Sequence, residues 1–249
     1  MENRTYHHGN LREALVTAGV ALARAGGPEA VVLRAAGREA GVSHNAAYRH
    51  FASHEDLLAA VAARCMDRLG LLMLRRTAEA DPASAEGPAT EGSTAEAAPA
   101  EAGPAEGPAT EAAAEAAPAE GSTTEAAAEP AALAWARLEA VGRAYIEFAL
   151  TEHGWFRTAF CGATPDPGRH PGVRPAPDTD PYLLLSARLD ELVDAGALPP
   201  ERRPGAEYGA WSAVHGLAHL LTDGPLHDLP PDEVRRAVDT VLANVARGL

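Results

Sequence analysis

Ser43, His44, Asn45, Tyr48 and Arg49 crowd five hydrogen-bonding side chains into seven residues. On a helix opened by Ser43 as its cap, His44, Asn45, Tyr48 and Arg49 point outward. Such side chains can reach base edges and phosphates. The surrounding stretch 33–51 has a small residue, Gly37, where two short helices would cross, Gly41 four residues later in the turn, and apolar Val42 just after. That spacing is what a helix-turn-helix needs, and its second helix would enter the major groove. A plain helical hairpin with polar solvent faces would share the periodicity but has no need of the turn glycine or of local positive charge.

Other chemistry is harder to find. His215, His219 and Asp223 fall at i, i+4 and i+8, one helical face with ligand types that suit zinc, nickel or iron. Asp223-Gly224, however, reads as a helix end, and no metal is assigned. No nucleophile elbow with a Ser-His-Asp order, phosphate loop, dinucleotide fingerprint or paired carboxylates in a defined context is found, so no catalytic residue and no cofactor are expected. Cys65 and Cys161 sit among apolar neighbours without CxxC spacing and read as buried free thiols.

The elements that must carry these residues are helical. Leu11, Leu15, Ala18 and Leu22 repeat at helical spacing after Asn10 and Glu13, a cap-and-return pair, and Gly26-Gly27-Pro28 ends that helix. Short helices over 33–40 and to about 51 follow. Ser53 with Asp56 three residues on opens a longer one, striped by Leu58, Val61, Cys65, Leu69 and Leu72. Periodicity resumes over 132–151, 155–160, 182–195, 207–222 and 231–247. Six prolines within 165–181 make that stretch a loop. No alternating strand pattern appears, so the expected class is all-α.

Charge is divided unevenly. Residues 1–78 hold 10 Arg against 7 acids, residues 79–131 hold 12 acids and no base, and residues 132–249 hold 11 Arg and 16 acids. The positive front explains why a net charge of −14 does not exclude nucleic acid. Within 79–131 the heptapeptide at 85–91 returns unchanged at 105–111, and seven prolines from Pro82 to Pro130 interrupt an Ala/Glu-rich chain. This segment is expected to be a disordered acidic linker. No long apolar run and no h-region in the first 16 residues is present, which leads to the expectation of a cytoplasmic protein without a membrane span.

With these residues in view, a family resemblance emerges. Tyr6-His7-His8-Gly9-Asn10-Leu11-Arg12, Ala40-Gly41-Val42-Ser43 and Tyr48-Arg49-His50-Phe51 resemble the N-terminal domain of TetR-type regulators. Trp211-Ser212-Ala213-Val214-His215-Gly216-Leu217 resembles the Trp-His-Gly motif of one C-terminal branch of that family. The resemblance implies a homodimer joined by the last two helices as a four-helix bundle, and an apolar effector pocket in each C-terminal body. It implies phosphate contacts from Tyr48 and His50, and bases faced by residues 43–46 and 49. Two positions depart from the family pattern: Val32 stands where Ser or Thr usually caps the second helix, and His54 stands where a phosphate-reaching Lys is usual.

The resulting expectations are specific. Domains are a DNA-binding unit at 1–53, a connecting helix at 54–78, the linker at 79–131 and an effector-binding and dimerisation body at 132–249. Arg34, Ser43, His44, Asn45, Ala46, Tyr48, Arg49, His50 and His54 are the expected DNA residues. The aromatic group Tyr145, Phe148, Trp155, Phe156, Phe160 and Trp211, with His215, is the expected pocket, though such a group also suits plain core. Val214, Ala218, Leu221, Val234, Val238, Val241 and Val245 are the expected dimer interface, though both stripes could instead close the chain's own core. The function expected is a ligand-responsive regulator, most simply a repressor that binds a double-stranded operator. The alternatives are a helical scaffold using the acidic linker and, more remotely, an enzyme.

Overall fold

The computed structural model describes residues 11–81, 122–162 and 175–249, with the side chains of 44 and 122–127 excepted. Among these residues all regular structure is helical: α1 (Leu11–Gly26), α2 (Leu33–Glu39), α3 (His44–His50), α4 (His54–Glu79), α5 (Ser122–Thr151), α6 (His153–Ala159), α7 (Pro181–Asp194), α8 (Ala206–Thr222) and α9 (Pro231–Gly248).

The N-terminal head packs α1, α2 and α3 against the first half of α4. Leu15, Val31, Ala36, Ala47, Leu57, Val61 and Cys65 are fully buried there, and each large one contributes roughly 1.5–3 kcal/mol by leaving water. Local chemistry fixes the turns. Gly41 has φ +69°, and the Val42 N–H donates to Gly37 O at 2.8 Å while Gly41 N–H donates to Arg38 O at 3.1 Å. This paired closure of α2 needs a left-handed residue at position 41, which glycine supplies without a Cβ clash. Ser53 Oγ accepts from Asp56 N and Asp56 Oδ2 accepts from Ser53 N, so α4 begins with a reciprocal cap. Asn10 lies outside the described residues, and Glu13 pairs with Arg64 Nη2 at 2.6 Å.

The second half of α4 passes into the body. Its 26 residues span about 39 Å at 1.5 Å per residue, so one rigid rod belongs to both cores. Leu69 and Met73 join Ile146, Phe148, Phe156 and Val238 in one apolar cluster, and Leu189, Leu192 and Leu198 centre another. Helix α5 opens at Ser122, ten residues before periodicity resumes in the sequence, and contains Pro130. Residues from Ala134 to Ala149 supply the buried side of this helix, and the preceding Ala-rich residues favour helix by propensity. Residues 82–121 of the acidic stretch lie outside the described residues.

Candidate functional site

Ser43 has extended backbone and its Oγ accepts from Ala46 N at 3.3 Å, which starts α3 as the sequence requires. Ala47 and Phe51 turn inward and are buried. Asn45, Arg49 and His50 are exposed and Tyr48 is 47 % exposed. Arg34 and Arg38 on α2 are exposed too, and neither they nor Arg49 form an ion pair with any described residue. The guanidinium of Arg12 lies over the Phe51 ring at 4.9 Å. Arg34, Arg38 and Arg49 give this side of the head a cationic face. Val32 precedes α2 without a side-chain cap, as its type dictates. His54 is the first residue of α4 and exposed.

Helix α6 fastens the head to the body. Trp155 Nε1 donates to Val20 O in α1 at 2.8 Å, and the guanidinium groups of Arg24, at 4.8 Å, and Arg68, at 4.3 Å, both lie over its ring. Arg24 grips Glu152 with two hydrogen bonds of 2.6 and 2.7 Å, and Arg157 reaches Glu29 at 2.7 Å. Gly154 permits the approach: a Cβ there would stand 2.3 Å from Ala23 O and 2.5 Å from Arg24 O.

Beyond α6 the body encloses a cavity of about 780 Å³, within the range of small-molecule sites. Its wall takes Met66 and Met73 from α4, Trp135 and Tyr145 from α5, Tyr182 from α7 and Trp211 from α8. Phe160, which caps the C-terminus of α6, also lines it. Three of the seven expected pocket residues thus reach the cavity: Tyr145, Phe160 and Trp211. Phe148 and Phe156 are buried in the surrounding core, Trp155 is committed to the seam with the head, and His215 stands behind Tyr145, with Nδ1 2.6 Å from its hydroxyl. Burial, and then the neighbouring His219, lower the pKa of His215 below the ordinary imidazole value.

The stripes on α8 and α9 point mostly inward. Val214, Ala218, Leu221 and Val238 are buried within the chain's own core, and Val214 and Val245 touch the cavity. An amphipathic stripe identifies a covered face without saying what covers it. Val234, Val241 and Val245 are only partly buried. The outer face of α8 exposes Tyr208, Gly209, Ser212, Gly216 and Leu220. The His215, His219, Asp223 face is likewise dispersed. Asp223 Oδ1 meets His153 Nε2 at 3.1 Å and His219 is 3.9 Å from Oδ2, while His215 serves Tyr145. Among the described residues no group of three or more His, Cys, Asp and Glu is placed for a metal ion.

Cys65 is buried, and burial pushes its thiol up to about 12, but Cys161 is only partly buried, unlike the expectation. No helix among the described residues is long and apolar enough to cross a membrane.

The comparisons with known proteins fall on both halves. Residues 15–61 match the family described as bacterial regulatory proteins, tetR family, and residues 138–245 match the tetracyclin repressor-like C-terminal domain. A solved structure of a protein with unknown function from Rhodococcus sp. RHA1 shares the fold, at 23% identity and a TM-score of 0.60, with 99% of each chain covered. No curated protein matches.

Proposed function

The chain belongs to the TetR family of bacterial regulatory proteins and is a DNA-binding transcriptional regulator; from that premise we propose that it is a cytoplasmic, homodimeric repressor which a small-molecule effector releases from its operator. One observation carries the reading: a cationic α3 face and an apolar cavity are joined through the long helix α4 and the short helix α6. In this reading Ser43, His44, Asn45, Ala46 and Arg49 face bases. Tyr48, His50, His54 and Arg34 hold phosphates. His54 offers its phosphate an imidazole N–H in place of a lysine ammonium.

The effector fills the body cavity and touches Phe160. Phe160 ends the helix whose Trp155 and Gly154 are pressed on α1, so a ligand that prefers one setting of α6 prefers one placement of the head. Release then needs only a differential affinity between DNA-competent and incompetent states. The outer faces of α8 and α9, with Val234, Val241 and Val245 at their margin, supply the contact between copies. Half-sites of one operator lie about 34–36 Å apart, a span that requires two heads. Recovery of bound genomic DNA, followed by gel shifts with the recovered fragments, tests the proposal. Sequence-selective binding by a dimer, lost on adding an effector, is expected. A micromolar solution that scatters light as a monomer, or that binds no fragment selectively, contradicts it.

A further inference from the structure

The described wall of the 780 Å³ cavity is mostly apolar, and two of its polar places constrain what it can hold. At one edge Arg143 Nε donates to Glu139 Oε1 at 2.8 Å and Nη2 donates to Asp239 Oδ1 at 2.6 Å. The remaining described carboxylate of the wall, Asp180, caps α7 by accepting from Tyr182 N at 2.9 Å. The one guanidinium of the described wall is therefore already engaged, against three carboxylates. An anionic ligand would therefore lose its water without gaining an unspent cation there.

The other polar place is the Tyr145 hydroxyl. Trp211 Nε1 donates to it at 3.3 Å and His215 Nδ1 lies 2.6 Å away. Burial raises the Tyr145 pKa, so the group stays a phenol, and burial keeps His215 neutral. A neutral imidazole carries its one proton on either nitrogen. With Nδ1 bare, the phenol donates to His215 and its oxygen retains a lone pair for a ligand hydroxyl. With Nδ1 protonated, the oxygen accepts from His215 and Trp211, and the phenol proton is free for a ligand carbonyl. The rings of Trp135, Phe160, Tyr182 and Trp211 and the thioethers of Met66 and Met73 suit flat ring systems.

Resting on the reading of this cavity as the effector site, we infer that the effector is a ring-containing lipophile that carries no negative charge and bears a hydrogen-bonding oxygen, and that Tyr145, set by His215 and Trp211, reads that oxygen. Four probes on one skeleton decide it: pyrene, hydroxypyrene, acetylpyrene and pyrene carboxylate, titrated into the full chain with tryptophan-to-pyrene energy transfer as readout. Hydroxypyrene and acetylpyrene bind roughly three- to tenfold tighter than pyrene, and the carboxylate binds at least about tenfold weaker than either. Tyr145→Phe abolishes the preference over pyrene.

The inference is overturned if the carboxylate binds as well as the neutral probes, if none of the four binds, or if Tyr145→Phe keeps the preference or weakens pyrene equally. Should that variant not fold, the ranking of hydroxypyrene, pyrene and the carboxylate on the unaltered chain decides alone. Operator release is scored separately. Selective, Tyr145-dependent binding without release leaves this inference standing and removes the effector reading. Release by a probe without that selectivity does the opposite.

Discussion

The head and the body solve the same packing problem with different materials. The head closes on small and aliphatic side chains, Ala36, Ala47, Val31 and Leu57 among them, and leaves its polar groups outside. The body is built around aromatic rings, Tyr145 meeting Phe156 edge-on at 5.7 Å and Phe160 meeting Phe156 at 5.1 Å, and it keeps about 780 Å³ unfilled. A tight core holds a reading surface in one geometry, which a base-contacting helix needs. A loosely filled one gives up packing energy but offers a ligand something to gain. The difference teaches that the two jobs of such a regulator are separated by packing density, and that they meet through α4 and α6.

The largest effect should come from breaking that meeting point. Gly154→Val places side-chain atoms on Ala23 O and Arg24 O, which cannot retreat without moving α1. A loss of about 3 kcal/mol or more is expected, read as a lower melting temperature and rapid proteolysis between head and body. An unchanged melt would mean that α6 does not approach α1 so closely. Next comes the contrast in filling. Leu57→Ala, fully buried in the head's core, should cost about 2–5 kcal/mol, whereas Met66→Ala on the body's cavity wall should cost less than about 2 kcal/mol, since part of its surroundings is already empty. Equal costs by chemical denaturation would erase the distinction drawn between the two cores.

Smaller effects separate reading from folding. Tyr48→Ala and Arg49→Ala should each weaken operator binding by about 1–3 kcal/mol while the melting curve shifts by no more than about 0.5 kcal/mol, as exposed positions do. The smallest is a pH effect. The folded pKa of His215 lies below its ordinary value of 6.5, so the unfolded chain binds the extra proton first. Its contribution is complete above pH 6.5 and is lost as the pH falls through the lower folded value. The wild type should therefore lose stability on acidification through that window, and His215→Asn should flatten the slope. A slope that steepens or stays the same places the sensitivity elsewhere.

The two regions also differ in how far the sequence alone reveals them. In the head, Gly41, Ser43 and the Ser53–Asp56 pair act on neighbours within a few residues, so local chemistry named the turn and both caps correctly. The body is assembled by contacts between distant segments. His215, His219 and Asp223 share a helical face, but the partner that claims His215 is Tyr145, 70 residues away. Trp135, Tyr182 and Met66 line the cavity with no local mark distinguishing them from ordinary core. Val214 and Ala218 carry the periodicity of a covered face, and only the tertiary structure tells that α5 and α9 of the same chain help cover it. Cap chemistry also could not place the start of α5, whose first turns precede its buried stretch.

The central claim is that the α3 face binds duplex DNA as a regulator's reading surface, and salt is its most direct probe. Affinity of the full chain for a duplex recovered from its own genome should be measured by fluorescence anisotropy across a salt series, beside Arg49→Ala. Each phosphate neutralised contributes a slope of about −0.9 in log K against log salt. A steep negative slope, with the variant uniformly weaker and less selective against an unrelated duplex, is the predicted result. Binding that ignores salt, or an Arg49→Ala protein indistinguishable from the wild type on both duplexes, would contradict the account.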